Sequence, residues 1–139
     1  MLVSAAVPAR LLVADDDENT RNLLRRAAEA RGFIVRLARD GAEALRMARA
    51  DPPDLVILDV MMPELDGRDV CLALKEDPGT CEIPILIVSA RGGEMDRRVG
   101  LEVGADDYLA KPVALDQLMR KIDHLLWKRE HGRDPPPDA

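Results

Sequence analysis

The sequence predicts an α/β fold in which a five-stranded parallel sheet carries helices on both faces. Five short apolar runs, at residues 11–14, 33–37, 55–58, 83–88 and 108–109, alternate with segments of helical periodicity. The third and fourth runs show no polar alternation, which indicates strands that are buried on both faces. This combination is typical of a parallel sheet between two helix layers.

The segments between the runs carry the usual signals of helix ends. Asp17 is placed to cap the first helix, which should end at Gly32. Glycines mark the later helix starts, at Gly41, Gly67 and Gly92-Gly93. The last helix should begin near Ala114, because apolar residues then recur at helical spacing as an inward-facing stripe: Leu115, Leu118, Ile122, Leu125 and Leu126.

Length and composition favour one domain. The chain has 139 residues, of which 47% are hydrophobic, enough for a core without disulfides or a structural metal. We expect an N-terminal extension at residues 1–9 and a globular domain at residues 10–127. Residues 128–139 contain three consecutive prolines and should form a tail or a linker stub.

Charge and cysteine content exclude several classes of protein. The formal net charge is −6 and no long basic run occurs, so nucleic acid is a poor partner and a cationic partner surface is a better one. Cys71 and Cys81 form no Cys-x-x-Cys pair and should be reduced thiols, which favours the cytoplasm. No signal peptide or apolar run of about 18 residues is present, so we expect no membrane association.

Chemically able side chains follow four of the five predicted strands. Asp15 and Asp16 follow the first strand, Asp59 the third, Ser89 the fourth and Lys111 the fifth. The carboxyl ends of parallel strands share one edge of a sheet, so these residues should meet in a single crevice. The second strand contributes no such residue and would suit an outer position.

The chemistry of this predicted crevice indicates a metal-assisted phosphoryl site. Three neighbouring carboxylates repel one another unless a cation compensates. Oxygen ligands without histidine or cysteine favour Mg²⁺, with Mn²⁺ possible, over zinc. A carboxylate, a divalent ion, a hydroxyl and an ammonium group are together the parts needed to form an acyl phosphate.

Four motifs in this order resemble a response-regulator receiver domain, the phospho-accepting half of two-component signalling, of the chemotaxis-regulator type. They are LLVADDD at residues 11–17, LDVMMPELDG at 58–67, VSA at 88–90 and GADDYLAKP at 104–112. The resemblance covers about residues 10–126. It implies a flavodoxin-like strand order of 2-1-3-4-5.

The resemblance implies a role for each acidic residue. Asp59 would be the phosphorylated carboxylate, and Asp16 and Asp59 would bind Mg²⁺ directly. Asp15 would act on the ion through a water molecule. The backbone carbonyl of Met61 would supply a further metal ligand.

The resemblance also implies a conformational switch. Ser89 would hydrogen-bond the phosphoryl group and Lys111 would pair with it, aided by a cis peptide bond before Pro112. Movement of Ser89 would let Tyr108 turn inward, which would change the surface of the fourth helix, fifth strand and fifth helix. Ser89 replaces the more usual threonine, so its coupling to Tyr108 should be looser.

Two further positions are expected to tune the loss of the phosphoryl group. They lie two residues after Asp59 and after Ser89, and here they are Met61 and Arg91. Neither side chain is a water-positioning amide or carboxylate. We therefore expect slow self-dephosphorylation, with Met61 crowding the path of the attacking water.

The implied partners are a sensor histidine kinase or a histidine phosphotransfer protein, and a downstream protein or a fused output domain. A homodimer through the face of the fourth helix, fifth strand and fifth helix is possible. The domain would not be an enzyme in the usual sense, because it would catalyse only its own phosphorylation and dephosphorylation.

Three other functions fit the sequence less well. A haloacid-dehalogenase-like phosphohydrolase would need a second aspartate two positions after its nucleophile, where Met61 stands. A flavodoxin-type flavin module would need a hydroxyl- and glycine-rich phosphate loop after the first strand, where acidic residues stand. A phosphorylation-independent pseudo-receiver is the third; the complete set of Asp16, Asp59, Ser89 and Lys111 argues against it.

Overall fold

The structure, a computed structural model, describes residues 7–90 and 94–137; for residues 94–96 it describes the backbone only. Strands and helices alternate along this part of the chain, and no helix in it is long and apolar enough to cross a bilayer. The strands are β1 (Arg10–Ala14), β2 (Ile34–Ala38), β3 (Leu55–Leu58), β4 (Ile85–Ser89) and β5 (Asp107–Ala110). The helices are α1 (Glu18–Ala30), α2 (Gly41–Ala50), α3 (Gly67–Glu76), α4 (Glu94–Glu102) and α5 (Leu115–His131).

All five strands pair in parallel in the order β2-β1-β3-β4-β5, which confirms the predicted fold class and strand order. Two strands begin one or two residues later than expected. Phe33 donates its N–H to the carbonyl of Ala28 and so closes the turn that follows α1. Pro84 has no N–H to contribute, although its carbonyl accepts from Val56, so the β4 ladder begins at Ile85.

The core has two halves, one on each face of the sheet. One half joins strand residues such as Leu12, Leu58 and Ile87 to the apolar sides of α2 and α3, among them Val70 and Leu74. The other half joins β-strand residues to α1 and α5, and its members include Leu11, Val13, Ile57, Leu24, Leu118 and Ile122. Helices therefore cover both faces, as the buried central strands predicted.

Aspartates cap the first three helices, α1, α2 and α3. Asp17 accepts from the N–H of Thr20 at 3.1 Å, as predicted for the first helix. Asp66 caps α3 in a reciprocal arrangement with Asp69, in which each side chain accepts a backbone N–H of the other residue. The start predicted for the fourth helix at Gly92-Gly93 lies outside the described residues.

The last helix differs from its prediction in two respects. α5 continues to His131, so residues 128–131 are helical rather than part of a tail. Arg129 donates to the backbone carbonyl of Asp54 at 2.9 Å, which anchors this extra turn before Gly132 ends the helix in a left-handed conformation. Leu115 is 39% exposed rather than inward-facing, because it is the first residue of α5 and the core begins only further along the helix.

Candidate functional site

Three carboxylates converge at the carboxyl edge of the sheet. Oxygen atoms of Asp15, Asp16 and Asp59 all lie within 4.8 Å of one another. They meet because β1 and β3 are neighbours in register, and the N–H of Asp59 donates to the carbonyl of Ala14 at 2.9 Å. Asp15 and Asp59 are buried, whereas Asp16 is exposed, so the cluster opens to solvent on one side.

Backbone groups hold the two buried carboxylates in place. One Asp15 oxygen accepts from the N–H of Asp17 at 2.9 Å, and one Asp59 oxygen accepts from the N–H of Met61 at 3.1 Å. Arg21 donates from its guanidinium to the backbone carbonyl of Asp15 at 2.8 Å. Sequence reasoning missed Arg21, because an arginine in the first turns of an amphipathic helix is ordinarily a solvated residue.

Lys111 brings a positive charge between the buried carboxylates. Its Nζ lies 2.8 Å from an oxygen of Asp15 and 3.2 Å from an oxygen of Asp59. The peptide bond between Lys111 and Pro112 is cis, the geometry that the family resemblance implies. Burial opposes the charged form of Lys111, but the hydrogen bond and negative charge of Asp15, with the charge of Asp59, outweigh it and raise the pKa of the ammonium group.

The charge balance of the crevice favours a cation. Burial raises the pKa of Asp15, and the hydrogen bonds from Lys111 and the N–H of Asp17 only partly offset this. Three carboxylates face one ammonium group here, which leaves a net charge of about −2 when all four are ionised. Carboxylate oxygens near one another and partly open to water suit a hard divalent ion.

The close approach of α3 to Asp59 is a feature that sequence reasoning did not identify. A Cβ atom on Gly67 would lie 2.3 Å from the carbonyl oxygen of Asp59 and 2.9 Å from the Cα of Val60. Any side chain at this position would therefore push the helix away from the backbone of Asp59. From sequence, Gly67 looked like an ordinary helix start.

The remaining predicted residues lie around this centre. Ser89 is fully buried at the end of β4, and its carbonyl accepts from the N–H of Lys111 at 2.8 Å. Tyr108 lies in β5 with 5% of its surface exposed, and Met61 is 49% exposed beside Asp59. Arg91 lies outside the described residues. The structure thus brings together Asp15, Asp16, Asp59 and Lys111, with Ser89 beside Lys111.

Comparison with known sequences gives one family. The model of the response regulator receiver domain matches residues 11–123. Response regulator MprA of Mycolicibacterium vanbaalenii is 48% identical over 120 residues, covering 86% of this chain and 51% of the relative. MprA of Mycobacterium avium is 48% identical over 125 residues, covering 90% of this chain and 54% of the relative. The chain thus spans about half the length of these curated relatives.

Solved structures agree with this family. The receiver domain of Francisella response regulator 1452 superimposes with a TM-score of 0.81 at 32% identity, covering 86% of this chain and 98% of that one. Chemotaxis response regulator CheY4 of Vibrio cholerae gives a TM-score of 0.81 at 28% identity, covering 86% and 99%. With its five-stranded parallel sheet and its aspartate cluster at the carboxyl edge, the chain belongs to the response regulator receiver domain family.

Proposed function

We propose that this receiver domain takes a phosphoryl group onto Asp59 from a phosphohistidine of a sensor histidine kinase or a histidine phosphotransfer protein. One observation carries the proposal: the buried carboxylate of Asp59 lies 3.2 Å from the Nζ of Lys111 and within the three-aspartate cluster. A nucleophile, a phosphate-pairing cation and metal-ligating oxygens therefore share one crevice.

In this reaction an oxygen of Asp59 attacks the phosphorus atom of the donor. The new oxygen–phosphorus bond forms as the phosphorus–nitrogen bond of the phosphohistidine breaks, and the imidazole leaves with a proton from solvent. Lys111 leaves its contact with Asp59 to pair with a phosphoryl oxygen, while the N–H of Met61 keeps the attacking carboxylate oriented. Ser89 would donate its hydroxyl to the phosphoryl group. The domain would catalyse only this transfer and the later hydrolysis.

The donor set fits Mg²⁺, with Mn²⁺ as the alternative. Asp16 and Asp59 would be direct ligands, Asp15 would act through water and the Met61 carbonyl would complete the protein's contribution. When bound, the ion supplies neutralisation of the charge that develops on the phosphoryl oxygens. The chain itself supplies the arrangement, because β1 and β3 hold Asp15 and Asp59 side by side.

The output of the domain would depend on Ser89 and Tyr108. Movement of Ser89 toward the phosphoryl group would vacate space into which the Tyr108 ring can turn, and this would alter the α4–β5–α5 surface for a downstream protein, a fused output domain or a second copy of the chain. Both cysteines in the described residues are free thiols, which supports work in the cytoplasm.

Labelling with a small phosphodonor tests the proposal. Acetyl phosphate with MgCl₂ should add the mass of one phosphoryl group to the wild-type protein, and hydroxylamine should remove it. The Asp59→Asn variant should take up no label, whereas Asp116→Asn, which alters an exposed carboxylate on α5, should behave as wild type. Label that persists in Asp59→Asn, or a wild-type protein that never takes up label, would contradict the assignment; the second result would favour a pseudo-receiver.

Stabilisation by Mg²⁺ should increase with pH. Because the folded state raises the pKa of Asp15, this group's contribution to stability is complete below its ordinary pKa and is lost as the pH rises through the raised value. A divalent ion binds only the deprotonated carboxylates, so it offsets this loss at neutral pH. At about one hundred times its Kd, Mg²⁺ should add about 2.7 kcal/mol at neutral pH and almost nothing near pH 4.

Thermal unfolding in MgCl₂ and in EDTA at the two pH values measures this difference. Asp16→Asn should abolish most of the Mg²⁺ effect, and the matched Asp116→Asn variant should retain it. An equal effect of Mg²⁺ at both pH values would exclude the aspartate cluster as its binding site.

Met61→Asn should shorten the lifetime of the acyl phosphate by about 10-fold, because an amide near Asp59 can position the attacking water. Met61 lies beside Asp59 and is half exposed, so the substitution should not disturb the core. The decay of labelled protein after removal of the donor gives the rate. Leu72→Asn, at another exposed apolar residue outside the crevice, is the control. Identical decay in Met61→Asn and the wild type would show that Met61 does not control hydrolysis.

A further inference from the structure

Gly100 lies inside α4, where glycine is an unfavourable choice for a helix. It is buried, and its φ angle is not in the left-handed region that would require glycine. Neither helix propensity nor backbone conformation therefore explains why this residue is glycine. The limited space around it does explain the choice.

A Cβ atom at position 100 would meet two side chains of the sheet. It would lie 3.1 Å from Cδ1 of Ile87 and 3.1 and 3.2 Å from Cδ2 and Cε2 of the Tyr108 ring. These distances are shorter than ordinary van der Waals contacts, so a neighbour would have to give way. The inward Tyr108 ring therefore occupies space that a Cβ atom at position 100 would need.

Two of the three nearest atoms belong to the Tyr108 ring. Ile87 is fully buried in β4, an interior strand, whereas Tyr108 belongs to β5 at the edge of the described sheet. Ile87 and Tyr108 are partners across β4 and β5, and Ser89 follows Ile87 by two residues, so all three share the face that α4 covers. Gly100 thus faces the Tyr108 ring on the same side of the sheet as the hydroxyl that would bind the phosphoryl group.

We propose that Gly100 is a positioning residue that sets the population of the inward Tyr108 ring by omitting the Cβ atom that would displace it. Phosphorylation would shift the position of the Tyr108 ring, so this inference deepens the proposed function and rests on it for one of the three measurements below. A Cβ atom at position 100 would disfavour the inward position of the Tyr108 ring and would therefore increase the population of molecules in which the ring lies elsewhere.

The position of the ring can be measured directly because Tyr108 is the only tyrosine in the chain. In protein labelled with 3-fluorotyrosine, the single ¹⁹F resonance should move in Gly100→Ala, and its relaxation by a soluble gadolinium chelate should rise at least 2-fold. A folded Gly100→Ala protein whose resonance is as protected as that of the wild type would overturn the proposal. This measurement does not depend on phosphorylation.

A background without the ring separates the Tyr108 contact from the Ile87 contact. In Tyr108→Ala protein, Gly100→Ala should raise the Tm, because the space left by the ring lets the terminal methyl group of Ile87 move aside and the gain in helix propensity then prevails; in the wild-type background it should not. If Gly100→Ala fails to fold and the double variant folds, the contact with the ring is decisive and the proposal stands. If Gly100→Ala and the double variant both fail to fold, the contact with Ile87 is the decisive one and the proposal is wrong.

Binding of the phosphoryl analogue beryllofluoride with Mg²⁺ gives the functional measurement. Its affinity should change at least 3-fold in Gly100→Ala and stay within 2-fold between Tyr108→Ala and the double variant. Unchanged affinity in Gly100→Ala would overturn the link from ring position to the phosphoryl site. Failure of the wild type itself to bind beryllofluoride would refute the proposed function, while the ¹⁹F result would still decide the role of Gly100.

Discussion

Gly67→Ala is expected to lower the free energy of unfolding by about 3 kcal/mol or more, which is a large effect for the addition of one methyl group. The added Cβ would lie 2.3 Å from the carbonyl oxygen and 2.9 Å from the carbonyl carbon of Asp59. Both atoms are backbone, so no flexible side chain can move aside. Alanine is a better helix former than glycine, which makes the expected loss a consequence of the clash alone.

Denaturant unfolding followed by far-UV circular dichroism measures this change. Gly79→Ala is the matched control, since Gly79 is exposed and its nearest neighbour to an added Cβ is a side-chain oxygen of Asp77 at 3.4 Å. The control should unfold within about 0.5 kcal/mol of the wild type. Equal stabilities of the Gly67→Ala and Gly79→Ala proteins would show that α3 can retreat from Asp59 without cost.

Lys111→Met should affect two properties of the crevice in opposite directions. Phosphorylation by acetyl phosphate should slow by about 100-fold, because the group that would pair with the phosphoryl oxygens is gone. Mg²⁺ should bind several-fold more tightly, because the ammonium group now 2.8 Å from Asp15 and 3.2 Å from Asp59 no longer repels a second cation. Methionine keeps much of the apolar length of lysine, so packing changes little.

Initial labelling rates and a Mg²⁺ titration of protein stability give the two values. Lys121→Met is the control, since Lys121 makes a comparable ion pair with Asp107 at 2.8 Å outside the crevice. It should leave the labelling rate and Mg²⁺ affinity within about 2-fold of the wild type. If Lys111→Met weakened Mg²⁺ binding, Lys111 would be organising the aspartates rather than competing with the ion.

The parallel sheet and the composition of the crevice could be predicted from the sequence pattern alone. An apolar run such as residues 55–58 indicates a strand buried on both faces, and parallel strands must place Asp15, Asp59 and Lys111 at one edge. The family resemblance then supplied the order of the strands and the individual roles. Boundaries were less accurate, because the carbonyl of Ala28 holds Phe33 in the turn that follows α1 and Pro84 delays β4.

The contacts that adjust the site came only from the tertiary structure. Alternation, capping and motif spacing are local properties of the chain, so they predicted where Asp59 lies and which residues surround it. The fit of Gly67 against Asp59, the room that Gly100 leaves for Tyr108 and the anchoring of α5 by Arg129 each join residues that sequence spacing does not relate. Close packing decides such contacts within a few tenths of an ångström, and only the folded arrangement contains distances of that kind.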